Sequence, residues 1–396
     1  MTIARTLFLA AFAAACIWGQ PVSQNIPTGQ QPMAVAVNET TNRAYIAAHN
    51  SSSVTVIDGK SRMVIATIKT GAGPEAIAVN AVTNRVYTAN SGESSVSVID
   101  GETNAVIATV RTGSNCNNLA VNPTTNKVYV TNNFGHSVTV IDGATNTATT
   151  IRVGQGPRGI AVNPVTNKIY TANYGSRDST EIDGATNSVT SIPTGKHPWA
   201  IAADSRANKV YVVNEDSASI SIIDGATGIV KNSSVGDIPF AVAVNPTRNT
   251  AYVLNYAGGT AGSTLSLIDG RTGTLTKTVT LATHPSAIAV NRNTNQIFIA
   301  NQRAGSVTVL DGESHAVIAT VKAGVIPFAM GVDTATNQVY VANFSSGNAT
   351  LIDVPAASAA WPHPPKFRVL ALAERASGDH QNFVDTARVY LDRLAA

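Results

Sequence analysis

Asp-Gly dipeptides recur through this chain at a period that few folds can accommodate. The Asp residues fall at 58, 100, 142, 183, 224, 269 and 311, and Asp353 continues the series without its Gly. Successive gaps are 42, 42, 41, 41, 45, 42 and 42 residues, the long one carrying the insertion YAGGTAGS at 256–263. A unit of this size cannot bury its own apolar surface, so eight copies must stack on one another.

One unit, Pro74 to Gly113, contains PEAIAVN, NRVYTAN, SVSVID and AVIATVRTG. Each piece is short, rich in Val, Ile, Thr or Tyr, and bounded by Asn, Pro, Asp or Gly, the signature of a strand between tight turns. NPTTN places Pro at the second turn position, and DGATN reads as a tight hairpin. Four strands with short connections make an antiparallel meander. First strands alternate small and branched residues, as in Ala76, Ile77, Ala78, Val79, which lets neighbouring sheets interdigitate. An open stack would need polar caps at its ends, and none is visible. Radial closure removes that need, so the reading is all-β, an eight-bladed β-propeller.

The count of strands sets the closure. The eighth unit supplies first, second and third strands up to Asp353, then gives way to VPAASAAWPHPP. Its missing fourth strand is found at the other end, where SQNIPTG (23–29) repeats the pattern of VTSIPTG (189–195). The N-terminal strand is expected to pair beside SGNATLID and close the ring, hiding two edges.

KVYVTNN (127–133), VYVANF (339–344) and SVTVIDG (137–143) resemble the YVTN-repeat β-propeller family over residues 23–354. The resemblance implies an extracytoplasmic propeller. Similar repeats occur in lactonases, lyases and haem-binding domains, so it does not select an activity.

Comparing the repeats separates two rims. One carries the monotonous turns NPTTNK and IDGATN, with Arg43, Arg85, Lys127, Lys168 and Lys209 beside the Asp-Gly turns. That cationic ring offers nucleic-acid binding as an alternative, against a reading of local charge balance. The net charge of +3 gives no global field for such a partner. The other rim is where repeats differ. After the Pro slot of each first strand come Met33, Glu75, Asn117, Arg158, Trp199, Phe240, Ser286 and Phe328, which should ring the channel mouth. Aromatics beside Arg and Glu suit a small molecule, peptide or protein partner. Cys116 fills a Pro slot and reads as structural.

His197 and His284 precede their Pro slots and could face the same funnel, with His49 and His136 as possible companions for acid–base work or metal binding. Their proximity to Glu75, Asp237 or Glu215 would favour a lactonase- or lyase-like enzyme. Dispersed His among aromatics would favour binding. No phosphate-loop, dinucleotide, haem-attachment or H-x-x-x-H pattern is present, so no cofactor or metal is expected.

At the termini, Arg5 and the apolar TLFLAAFAAACIWG mark residues 1–19 as a secretory signal, too short for a comfortable span, with periplasmic or secreted location expected. Lipid anchoring through Cys16 is the alternative. No membrane segment should remain after processing, and a monomer is expected. Residues 355–366 read as a Pro/Ala linker. Residues 367–396 resemble the first strand–helix unit of a trehalose-utilisation-type, glutamine-amidotransferase-like domain, too short to form a parallel sheet.

Overall fold

The computed structural model describes residues 20–256, 262–281 and 284–355. The proposed signal, nearly all of the linker and the strand–helix tail lie outside the described residues. Those from Gln20 to Val354 form one compact unit of eight four-stranded antiparallel sheets. Blade 1 is typical, with strands Pro32–Asn38, Arg43–Ala48, Ser53–Asp58 and Met63–Lys69 in chain order. Seven blades follow this plan. In the eighth, Pro327–Asp333, Gln338–Asn343 and Asn348–Asp353 are completed by Val22–Pro27. The closing strand pairs antiparallel from Val22 opposite Asp353 to Pro27 opposite Asn348. The fragment at the chain start is therefore the outer strand of the last blade.

The core lies between blades. Its largest fully buried side chains include one aromatic from every second strand: Tyr45, Tyr87, Tyr129, Tyr170, Tyr211, Tyr252, Phe298 and Tyr340. The apolar clusters straddle seams, one joining Tyr87 and Val96 of blade 2 to Leu119 and Val128 of blade 3. At the closure, Ile26, Tyr340 and Leu351 of blade 8 meet Ile46 and Ile57 of blade 1. Burial pushes the Tyr129 and Tyr252 hydroxyls up to about 12.

Polar staples reinforce six of the eight seams. The Asn ending the first strand donates to the Asn of the next blade's turn, as in Asn38 to Asn84 (2.9 Å) and Asn122 to Asn167 (2.8 Å). Six seams carry this bond. Asp204 and Asp333 replace the donor at the other two, leaving Oδ2 of each Asp and Oδ1 of Asn249 and Asn42 buried without partners.

The Asp-Gly motif also serves the seam. Each Asp caps its turn, Asp142 accepting from the backbone N–H of Ala144 (2.9 Å) and Thr145 (3.0 Å). The expected hairpin is present, and its Gly is required for space rather than for a left-handed turn. A Cβ on Gly270 would sit 2.4 Å from Asn249 Oδ1 and 2.6 Å from the Tyr211 hydroxyl of the preceding blade. The left-handed residue comes later in the turn, at Asn104, Asn146 or Asn187.

Candidate functional site

The ring expected from sequence has a specific backbone origin. In all eight blades the pairing of first and second strands slips by one residue beyond the Pro slot. The skipped residues are Met33, Glu75, Asn117, Arg158, Trp199, Phe240, Ser286 and Phe328. A β-bulge re-aims the side chain of its unpaired residue, so one extra residue per blade builds the ring. The residue before the slot is left-handed in every blade, at Gln31, Gly73, Asn115, Gly156, His197, Ile238, His284 and Ile326. Its carbonyl accepts the backbone N–H of the residue that follows the second strand, as in Tyr174 to Gly156 (3.0 Å) and Glu215 to His197 (3.0 Å). A second ring results: His49, Ser91, Asn133, Tyr174, Glu215, Tyr256, Gln302 and Phe344.

The two rings meet most densely on blades 4 and 5. The Arg158 guanidinium lies 3.6 Å from the Trp199 ring centroid and 5.6 Å from that of Tyr174. Tyr174 stacks on His197 at 4.3 Å and meets Trp199 edge-on at 5.6 Å. Nδ1 of His197 lies 2.6 Å from Asp216 Oδ2. Glu215 and Asp216 share a single 3₁₀ turn, Glu215–Ser217, that replaces the usual loop. Burial, then the neighbouring Asp216, pushes the Glu215 carboxyl above its usual range. Burial lowers the Arg158 guanidinium, against the opposing influence of Tyr174, Glu215 and Glu75. Among the described residues no carboxylate pairs with Arg158 within 4.0 Å.

A cavity of about 370 Å³ opens beside this cluster. Asn117, Arg158, Trp199, Phe240 and Ser286 of the expected ring line it, with Ile160, Ile201 and Ile288 from the first strands beneath. Gly159 permits the close approach, since a Cβ there would stand 2.9 Å from Ile201 and 3.1 Å from the Trp199 carbonyl. Met33, Glu75 and Phe328 do not line this cavity. Phe328 instead packs against Phe344 at 5.7 Å.

The histidines do not converge. His284 meets Tyr256 edge-on at 5.0 Å, and its Nδ1 has no hydrogen-bond partner among the described residues. His136 Nδ1 sits among loop backbone, 3.1 Å from both Asn133 O and Gly156 N. Among the described histidines only His197 engages a carboxylate, and that carboxylate is Asp216 rather than Glu215. Among the described residues no group of three metal-ligating side chains occurs. Sequence reasoning passed over Tyr174, Asp216, Tyr256 and Phe344. The available signal was the first letter of each second-to-third loop, H, S, N, Y, E, Y, Q, F, which varies as freely as the first ring.

The opposite rim engages four of the five expected cations internally, while Arg85 makes no hydrogen bond or ion pair among the described residues. Lys127 donates to the Gly184 carbonyl (2.8 Å) and Lys209 to that of Gly270 (2.6 Å), each in the next blade. Arg43 reaches Gly101 in the same way. Lys168 pairs with Glu181 (2.9 Å) and Asp183 (3.2 Å). Gln338 repeats the staple at the closing seam, donating to Gly59 (3.0 Å). Cys116 is buried, its thiol donating toward Asn90 and Ser95 carbonyls at 3.3 and 3.4 Å.

Solved structures with this architecture have diverse roles. Kuenenia stuttgartiensis hydrazine synthase aligns with 17% identity and a TM-score of 0.60, covering 83% of this chain and 97% of that one. Saccharomyces cerevisiae Sqt1 aligns with 11% identity and a TM-score of 0.71, covering 84% and 98%. At such identities the likeness speaks for the fold alone. A search of curated proteins found no significant match. Residues 75–356 match the family described as YNCE-like beta-propeller, and with most of the chain so covered the protein belongs to that family.

Proposed function

We propose that this protein is a ligand-binding propeller whose working face is the variable rim, with the ligand seated in the cavity beside Arg158 and Trp199. The supporting observation is a half-buried guanidinium, stacked on an indole and without a carboxylate partner among the described residues, at the edge of a cavity lined by both polar and apolar side chains. Burying an unpaired cation is costly, so such a group is kept where a ligand completes it. The first nineteen residues support an exported protein, and the repeated Tyr-Val strands support the narrower YVTN-repeat assignment. Four of the five expected cations on the opposite rim are held by carbonyls or carboxylates of the protein, which lends nucleic-acid binding little support.

Thermal-shift screening of the full chain against metabolites, sugars and short peptides tests this reading. A ligand at a hundred times its Kd adds about 2.7 kcal/mol. For a propeller of about 335 residues, an unfolding entropy near 0.7 kcal/mol per °C turns this into roughly 4 °C. Trp199→Ala should remove the shift. A broad library without a single shift would overturn the reading.

A second reading is favoured by one contact, His197 Nδ1 against Asp216 Oδ2. A carboxylate held on Nδ1 leaves Nε2 able to act as a base. Hydrolysis or elimination lost in His197→Ala, with ligand binding retained, would select it.

A further inference from the structure

Resting on that reading of the rim, we infer that the ligand is a small monoanionic organic acid, a carboxylate carried on an apolar body. The polar atoms around the cavity divide unevenly. Asn117 Oδ1 already accepts from the Thr131 hydroxyl (2.9 Å), leaving the amide nitrogen as the free end of the side chain. Asn118 Oδ1 accepts from the Leu119 backbone (2.9 Å). The Ser286 hydroxyl donates to the Pro327 carbonyl (2.5 Å). Arg158, Asn117 and Asn118 keep N–H donors without hydrogen bonds among the described residues, and acceptors on a ligand would satisfy them.

Arg158 sets the charge and geometry. Trp199 covers one face of its guanidinium at 3.6 Å, which leaves the N–H edge for two parallel bonds to a carboxylate. Trp199, Phe240, Ile160, Ile201, Val242 and Ile288 supply the apolar part of the lining, against which the body of such an acid would pack. About 370 Å³ is at the small end of ligand pockets and suits a compact acid rather than a chain. Glu75 and Glu215 both act on Arg158 through space. Their negative charge repels a phosphate dianion more than a single carboxylate.

Isothermal titration of the full chain tests this with four probes: 3-phenylpropionate, its neutral amide, inorganic phosphate, and a hexapeptide ending in phenylalanine. The acid should bind at least tenfold more tightly than the other three. Arg158→Gln should erase the preference for acid over amide, with an unchanged circular dichroism spectrum to show that the variant is folded, and Glu75→Gln should tighten the acid. An amide that binds as tightly as the acid, or a preference that survives Arg158→Gln, overturns the anion assignment. Tighter phosphate overturns the single charge, and a tighter hexapeptide overturns the small ligand. Failure of all four probes alongside thermal-shift hits of other chemistry sinks this inference and spares the rim. Absence of any hit sinks both.

Discussion

Ile26→Ala probes the closure of the ring at its most sensitive point. Ile26 is only 3% exposed, although the strand around it is largely solvent-facing, and it packs with Ile46, Ile57, Tyr340 and Leu351 across the seam of blades 8 and 1. Removing a buried Ile side chain to Ala costs about 2–5 kcal/mol, from lost transfer energy and the cavity left behind. Taking about 3 kcal/mol and an unfolding entropy near 0.7 kcal/mol per °C, the midpoint should fall by roughly 4 °C. Ile192 occupies the same position in blade 4, 5% exposed, but is linked to its blade through the chain. Ile192→Ala is therefore the internal control. Scanning calorimetry of both variants should give falls within about a factor of two of each other, because buried contacts and not connectivity set the cost. A silent Ile26→Ala beside a destabilising Ile192→Ala would refute the closing strand.

Asp204→Asn and Asp333→Asn should each stabilise the protein by about 1 kcal/mol or more, since an Asn restores the donor missing from those two seams; guanidinium melts with unchanged or lower midpoints would contradict this. The Asp-Gly aspartates are held below their usual range chiefly by backbone N–H groups, Asp183 to about 2. A carboxyl depressed in the folded state contributes above its unfolded value and loses that contribution as pH falls through the folded one. Stability should decline between about pH 4 and 2, and the Asp183 carboxyl carbon should titrate near 2 by NMR; a midpoint near 3.8 would show that the turn does not hold the carboxylate. Burial pushes the Cys116 thiol up, so Ellman's reagent should fail to label it in the folded protein and label it fully in denaturant; rapid native labelling would place it at the surface.

The architecture was legible because the repeat repeats its own errors and omissions. Eight aligned units fix strand number, and the unit lacking a fourth strand points to SQNIPTG as its completion. The first ring was legible for the same reason, since Pro, or Cys116 in blade 3, marks the slot before each bulge. What the alignment could not show was which variable residues touch. Tyr174, His197 and Trp199 lie on two blades, 25 residues apart at the extremes, and their stacking depends on the left-handed residues that fold one loop over another. Nor could it distinguish a free cation from an engaged one. Lys209 and Arg158 look alike as letters, yet Lys209 staples a seam and Arg158 does not. The Gly of Asp-Gly was visible as a turn residue, but its real constraint comes from the tyrosine and asparagine that crowd it.

The account rests on the variable rim being the binding face, and the fluorescence of one residue reports on it. Trp199 is the sole tryptophan between residues 20 and 354, so Trp18→Phe/Trp361→Phe leaves it as the single emitter. Titrating that chain with a compound that raises the thermal midpoint should change Trp199 emission saturably. Arg158→Gln should abolish the change and Lys209→Gln should leave it intact, glutamine being the residue that already staples the closing seam at Gln338. Binding that survives Arg158→Gln and disappears with Lys209→Gln would move the site to the opposite rim and contradict the account.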